Sequence, residues 1–259
     1  MNIGIIGAGT IATFLLTEIE KQPAENLSVK SLYVRDIDKY RKLSEDCGVQ
    51  LFNHFDSFLD SDIDIVIEAA NITAVQELIP RALEKKEAAI ISIGALSDDT
   101  FLEHIMSLAN RYNHSIYLPS GAIGGMDLIQ NAGALGELDE VSLTTRKPAH
   151  SLNEQSLKQE KIIFQGTAFE AIRKFPKNIN VSIILSLAGV GIHQTKVTII
   201  ADPDIQTNQH KVEAKGAFGT FSSTIENNPM PSNPKTSFLA ALSILGTLRK
   251  LQSDLKIGI

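Results

Sequence analysis

Six residues, Gly7-Ala8-Gly9-Thr10-Ile11-Ala12, carry the most legible chemistry in this chain of 259 residues. They follow a short apolar run, Asn2 to Ile6, and lead into Ile11, Leu15 and Ile19, which recur every four residues as one helix face. Strand, Gly-x-Gly-x-x-Ala and helix in that order are what binding of a dinucleotide pyrophosphate requires. Gly7 permits the tight turn, Gly9 lets the backbone approach the phosphates, and Ala12 keeps the helix close to the sheet. Thr10 and Ile11 open the helix, whose free N–H groups and positive dipole end attract anions. NAD or NADP is the expected cofactor, with Gly7, Gly9, Thr10 and Ile11 among its contacts. A bare tight turn is the alternative. Arg35 and Asp36 stand at the end of the next strand, Val29 to Val34. An acid there bonds the ribose 2′-OH of NAD, whereas an arginine accommodates the 2′-phosphate of NADP. Asp36 lies further past Gly9 than the usual spacing of about 20 residues. Arg35 takes the position normally acidic, so the reading leans towards tolerating NADP. A surface ion pair in a turn is the alternative.

Other residues could do acid–base work or hold an anion. His210 follows Asp202-Pro203 and Thr207-Asn208 at a loop-to-strand entry, where functional side chains are often carried. An imidazole titrates near neutrality, but by position alone His210 reads equally as an exposed edge-strand residue. His193 reads as a surface turn residue, and the other four histidines lie in helices or loops with no partner pattern. Lys235-Thr236-Ser237 stand just before an apolar stretch, Phe238 to Leu251. There a cation, two hydroxyls and a helix N-terminus would converge on an anion, or simply cap the helix. Arg146 and Lys147 follow a strand and could reach the same anion or form a solvated pair. Gly124-Gly125 would present bare N–H groups, as in anion-binding nests. The strand Ile63 to Glu68 ends in Glu68-Ala69-Ala70, where the small side chains would let a nicotinamide ribose approach. Glu68 itself reads equally as a solvated strand end. No Cys/His cluster has zinc spacing, no Gly-x-Ser-x-Gly marks a nucleophile elbow, and no P-loop is present.

These residues need elements to position them. Strands alternate with helices as far as Leu118, which predicts a doubly wound parallel sheet of Rossmann type. Cys47, in a helical pattern with Tyr40 and Leu43, reads as a core residue. The glycine-rich stretch Pro119 to Asp127 cannot be a strand or helix interior and marks a hinge. Beyond it come a short helix over 124–133, strands at 141–145 and 162–165, two helices, and strands at 195–201, 210–214 and 220–226. Short connections make that second sheet mostly antiparallel. The last helix, Phe238 to Leu251, is expected to return to the first domain. The division is therefore 1–118 with 236–259 for the dinucleotide, and 119–235 for substrate and dimerisation.

A hydrophobic fraction of 43% and a charged fraction of 21% describe an ordinary globular chain. The net charge of −6 argues against nucleic-acid or anionic-membrane surfaces. One cysteine excludes an intrachain disulfide framework. With no signal-peptide pattern and no spanning apolar run, a cytoplasmic protein is expected.

Several blocks occur in the order found in L-aspartate dehydrogenases, which this chain resembles along its whole length. They are Gly-Ala-Gly-Thr-Ile-Ala, Glu-Ala-Ala, Ser-Ile-Gly-Ala-Leu, Pro-Ser-Gly-Ala-Ile-Gly-Gly-Met-Asp, Thr-Thr-Arg-Lys-Pro, Phe-Pro-Lys-Asn-Ile-Asn-Val, Ala-Asp-Pro with Asn-Gln-His, and Asn-Pro-Lys-Thr-Ser. The resemblance implies a Rossmann domain, a second α/β domain with an open sheet, and a homodimer. It implies oxidation of L-aspartate with NAD or NADP to iminoaspartate, which hydrolyses to oxaloacetate and ammonia or feeds NAD biosynthesis. By the same resemblance His210 is catalytic, and Ala122 and Asn180 contact the cofactor. Two positions depart from the family: Ala12 stands where Gly is frequent, and Arg35 where Asp is frequent. Oxidation at Cα needs a hydride acceptor, a base and anchors for two carboxylates. Ala69 joins the cofactor contacts, and Gly124, Gly125, Lys147, Lys235 and Thr236 are the expected anchors. Two other readings stand: a dehydrogenase for a homoserine-type or dihydrodipicolinate-type substrate, and a non-catalytic NAD(P)-binding sensor.

Overall fold

A computed structural model describes the chain except residues 23–25, 155, 176–179 and 259 and the side chains of residues 234 and 235. It divides into two compact units, Met1–Pro119 with Ile244–Lys256, and Ser120–Ser243 with Ile257–Ile259.

The first unit alternates β1 (Asn2–Ile6), α1 (Thr10–Glu20), β2 (Ser28–Tyr33), α2 (Ile37–Cys47), β3 (Gln50–Phe52), α3 (Phe55–Leu59), β4 (Ile65–Glu68), α4 (Ile72–Leu83), β5 (Glu87–Ile90), α5 (Asp99–Tyr112) and β6 (Ile116–Tyr117). All strand pairs are parallel, in the order β3-β2-β1-β4-β5-β6. This is the doubly wound Rossmann order, and its direction reverses between β1 and β4, where such sheets bind ligands beyond the strands' carboxyl ends. Strands buried on both faces read as near-continuous apolar runs, as Ile5 with Ile6 and Ile65 with Val66 and Ile67 do. Side-chain caps set the helix starts: Asp36, Asn71 and Asp98 accept from the backbone N–H three residues on. Cys47 is partly buried against the core.

The second unit contains α6 (Met126–Ala132), β7 (Leu138–Pro148), β8 (Lys161–Thr167), α7 (Ala168–Lys174), α8 (Asn180–Ala188), β9 (Lys196–Asp202), β10 (Asn208–Gly216), β11 (Gly219–Asn227), β12 (Pro229–Met230), β13 (Asn233–Ser237) and the start of α9 (Phe238–Gln252). Its main sheet runs β11-β10-β7-β9-β8. Only β7 and β9 pair in parallel; the other three pairings are antiparallel. Val141, Leu143 and Thr145 alternate on the buried face of β7. Helices cover that face: the position of a Cβ on Gly189, just past α8, lies 3.1 Å from Val141 and 3.4 Å from Ile129 of α6. The opposite face is polar, with Lys211 and Glu213 paired at 2.7 Å. The C-terminal half of α9 belongs to the first unit, where Ile244, Leu245 and Leu248 join the buried cluster of Ile3, Ile5, Leu15 and Leu32.

Several boundaries differ from the sequence expectations. The helix expected over 124–133 begins at Met126, because Gly125 adopts φ +81° and turns the chain into it. β7 runs on through Arg146-Lys147-Pro148, since β9 continues to pair with it as far as Pro148 and Asp202. Lys235-Thr236-Ser237 do not open the last helix. They lie in β13, hydrogen-bonded to β12, and the helix begins at Phe238.

Candidate active site

In the first unit, the glycine turn sits at the switch point. Gly7 has φ +100°, and a Cβ there would lie 2.9 Å from the Ala69 carbonyl oxygen, so only glycine fits. Its N–H donates to the Tyr33 carbonyl at 2.9 Å. Gly9 is the N-cap of α1, which has no side-chain cap and no acidic residue in its first turn. The leading N–H groups of a helix lack intrahelical partners, and a Cβ on Gly9 would meet nothing within 4 Å. An uncapped helix end facing open space, with Thr10 and Ile11 as its first residues, fits a pyrophosphate. Ala69 follows β4 immediately beside the turn. Arg35 and Asp36 are exposed beyond the carboxyl end of β2. The Asp36 carboxylate accepts the Lys39 N–H at 3.2 Å, so it is engaged in capping α2.

Glu68 is not a solvated strand end: it is 0% exposed. Its Oε1 accepts from Ala70 N (2.8 Å) and Ser92 Oγ (2.9 Å), and its Oε2 from Ser92 N (2.8 Å) and Ile91 N (3.3 Å). One carboxylate therefore ties the segment after β4 to the segment after β5. Burial pushes its pKa above the usual carboxylate range, and the four donors pull against that.

In the second unit, His210 is neither exposed nor on an edge. β10 lies between β11 and β7, and His210 is 4% exposed on the helix-covered face, directly opposite Thr145. Thr145 Oγ1 lies 3.0 Å from His210 Nδ1. Lys147, two residues along β7, falls on the same face. Burial, and then the positive charge of Lys147, lower the His210 pKa to about 4, so the ring is neutral at physiological pH. Burial also lowers the Lys147 pKa from its ordinary value.

The strand period separates Arg146 from this pair by turning it to the other face. There it donates to Glu160 and, at 2.5 Å, to Asp202. Of the two readings of Arg146, an anion contact or a solvated pair, the structure shows it paired, with two carboxylates.

Depressing a histidine pKa has a stability consequence. Between pH of about 6.5 and about 4 the unfolded chain binds the proton and the folded chain does not. This contribution is complete above the unfolded pKa and is lost as pH falls through the window, by about 3 kcal/mol. Urea unfolding at pH of about 7 and about 4 should show a smaller acid loss in His210→Gln than in the unmodified protein. Equal acid sensitivity would assign the effect to another group.

Gly124 and Gly125 lie against β11. A Cβ on Gly125 would meet Phe221 at 2.5 Å, and one on Gly124 would lie 3.6 Å from Ile225, the residue paired with His210. The Ala122 carbonyl accepts from Asn227 Nδ2 at 3.1 Å, and Asn227 Oδ1 accepts from Ser237 Oγ at 2.7 Å. Buried Asn227 thus fixes the Ala122 loop to the end of β13. Sequence reasoning missed it, because Asn227-Asn228-Pro229 carries only a turn signal. Thr236 Oγ1 accepts from Asn233 at 3.1 Å. Asn180 is exposed at the first position of α8. The side chain of Lys235 lies outside the described residues. His193 is exposed, and its ring lies 4.6 Å from that of Phe169, tilted by 38°. Among the described residues no cluster of His, Cys, Asp or Glu could hold a metal ion, and no helix is long and apolar enough to cross a membrane.

The family profile described as "Aspartate dehydrogenase, C-terminal" matches residues 127–251, and "Homoserine dehydrogenase, NAD binding domain" matches residues 7–119. An L-aspartate dehydrogenase of Methanococcus maripaludis is 38% identical over all of this chain and 99% of its own length. One from Methanocaldococcus jannaschii is 39% identical over the same shares. The crystal structure of aspartate dehydrogenase from Thermotoga maritima matches with a TM-score of 0.82 and 33% identity over 99% of both chains. A homoserine dehydrogenase from Thiobacillus denitrificans has a TM-score of 0.64 at 16% identity, over 97% of this chain and 73% of its own, which is likeness of fold alone. Full-length identity at this level, on a Rossmann sheet joined to a mixed second sheet, places the chain in the L-aspartate dehydrogenase family.

Proposed function

We propose that the protein oxidises L-aspartate at Cα, using NAD+ or NADP+, to iminoaspartate, which hydrolyses to oxaloacetate and ammonia or is consumed in NAD biosynthesis. The observation that carries this reading is the buried His210 with Lys147 beside it on one face of the second sheet. A neutral imidazole has a lone pair available to take a proton from the substrate ammonium, and then to activate the water that attacks the imine. The nicotinamide, when bound, supplies the hydride acceptor. Lys147 offers its charge to a substrate carboxylate, where partial burial strengthens the attraction. Gly124 and Gly125 bring bare backbone to the neighbourhood of His210, and Lys235 and Thr236 are the remaining proposed anchors. Gly7, Gly9, Thr10, Ile11 and Ala69 are the proposed dinucleotide contacts, and the family likeness adds Ala122 and Asn180. The reading extends to a cytoplasmic homodimer, which sedimentation of the purified protein tests.

The homoserine-type profile covers only the dinucleotide-binding residues, whereas the second unit matches the aspartate dehydrogenase profile. Substrate choice follows the second unit. Incubation with aspartate or homoserine and either cofactor, followed by reduced-nicotinamide absorbance, should show turnover with aspartate. No signal with aspartate and either cofactor would sink the reading.

Arg35 is exposed beyond β2, and Asp36 is occupied in capping α2. Arg35→Ala should therefore raise KM for NADP+ about tenfold, the loss of one charge-assisted contact, and change KM for NAD+ less than twofold, about the noise of such a comparison. Parallel kinetics with both cofactors check this; equal changes would mean that Arg35 does not read the 2′-phosphate.

A further inference from the structure

We infer that Thr145 is the positioning residue of His210: its hydroxyl accepts the Nδ1 proton, so the ring's lone pair is held at Nε2. The inference rests on the reading of His210 as the base, and it adds the atom through which that base works.

The geometry begins with the sheet. His210 and Thr145 are directly opposed on the antiparallel strands β10 and β7, and their side chains project to the same face. Both strands are interior, so the pair is held from each side: Ile199 of β9 lies opposite Thr145, and Ile225 of β11 lies opposite His210. Both residues are 4% exposed, and Thr145 is β-branched, which restricts its χ1. Oγ1 and Nδ1 are 3.0 Å apart, a hydrogen bond of ordinary length. Lys147 is the charged group that acts on the ring from this face. Lys211 and Glu213, the next charged residues of β10, are paired with each other.

A hydroxyl can donate or accept, and a neutral imidazole carries one proton. If Thr145 donated to Nδ1, the ring proton would sit on Nε2. Taking up a further proton would then occur at buried Nδ1 and break the bond to Thr145. If Nδ1–H donates to Thr145, the same bond survives in the neutral ring and in the imidazolium, and the proton enters and leaves at Nε2. That arrangement lets the ring cycle without rearranging its support, which is what a preorganised site requires.

The test uses Thr145→Val, which keeps the shape but removes the oxygen, and Thr145→Ser, which keeps it. Histidine labelled with nitrogen-15 reports the tautomer, and His210→Gln identifies the signal. The expected result is Nδ1–H with bare Nε2 in the unmodified protein and in Thr145→Ser, and mixed tautomers in Thr145→Val. Thr145→Val should lower kcat about tenfold, the loss of one hydrogen bond felt at the transition state, and Thr145→Ser should restore most of it. Cofactor affinity should stay constant across all three. An Nε2–H ring in the unmodified protein would overturn the inference, as would valine and serine variants with the same tautomer and kcat. The tautomer measurement needs no turnover. A protein with Nδ1–H but inert towards aspartate would reject the substrate reading and retain the placement of Thr145.

Discussion

His210→Ala is expected to lower kcat for aspartate oxidation by about a thousandfold, the middle of the range for removing a general base, with cofactor affinity unchanged. The first part follows from chemistry. The substrate ammonium must lose a proton before an imine can form, and His210 is the histidine buried beside a cation on the second sheet. The second part follows from the proposed contacts: the glycine turn and the uncapped end of α1, which bind the pyrophosphate in this reading, do not include His210. Steady-state kinetics give kcat, and nicotinamide fluorescence titration gives the dissociation constant. A parallel loss of cofactor affinity would make His210 a structural residue. Truncating this ring also leaves a small cavity and frees Thr145, so thermal unfolding should be recorded alongside. His210→Gln fills more of the space, and an equal kcat loss in both variants separates the proton-transfer role from packing.

The second large effect concerns stability. Glu68→Leu should destabilise the protein by about 4 kcal/mol, comparable to breaking a buried ion pair. The carboxylate receives four donors, and leucine would leave Ala70 N, Ile91 N, Ser92 N and Ser92 Oγ without their acceptor. Glu68→Gln keeps one acceptor oxygen and turns an amide N–H2 towards the other donors, so its loss should be intermediate. Urea unfolding at neutral pH ranks the three proteins, and a leucine variant as stable as the glutamine variant would show that the four bonds contribute little. Gly7 packs beside the Ala69 carbonyl, so loosening Glu68 should also weaken dinucleotide binding in whatever fraction remains folded.

Much of the fold was legible because local rules and global packing agreed in the first unit. An apolar strand followed by Gly-x-Gly and a periodic helix has few alternative structures. Local capping agrees with that packing: Asp36 and Asp98 each accept from the backbone N–H three residues on, at the start of a helix. The final helix could be sent back to the first sheet because its Leu- and Ala-rich face needed an apolar partner, and Ile244, Leu245 and Leu248 found one. The second unit was less legible at its strand ends. β7 outran its expected end because pairing with β9 continues to Pro148, and Lys235-Thr236-Ser237 became a strand because Pro229 and Met230 lie alongside to receive it. Such pairings join residues distant in sequence, and no local propensity reports them.

The candidate site divides along the same line. The sequence alone determined the glycine turn, since positive φ, close backbone approach and a free helix end are properties of six consecutive residues. It also brought forward His210, through its setting among neighbouring blocks. Only the tertiary structure decided what His210 is chemically. An interior strand buries the ring, register brings Thr145 to its Nδ1, and the two-residue period of β7 puts Lys147 on its side and Arg146 on the other. Tertiary structure likewise turned Glu68 from a solvated strand end into a buried clamp and made Asn227 the support of Ala122. In each case the deciding quantity is burial or a contact across the sheet, which depends on which segments meet in space.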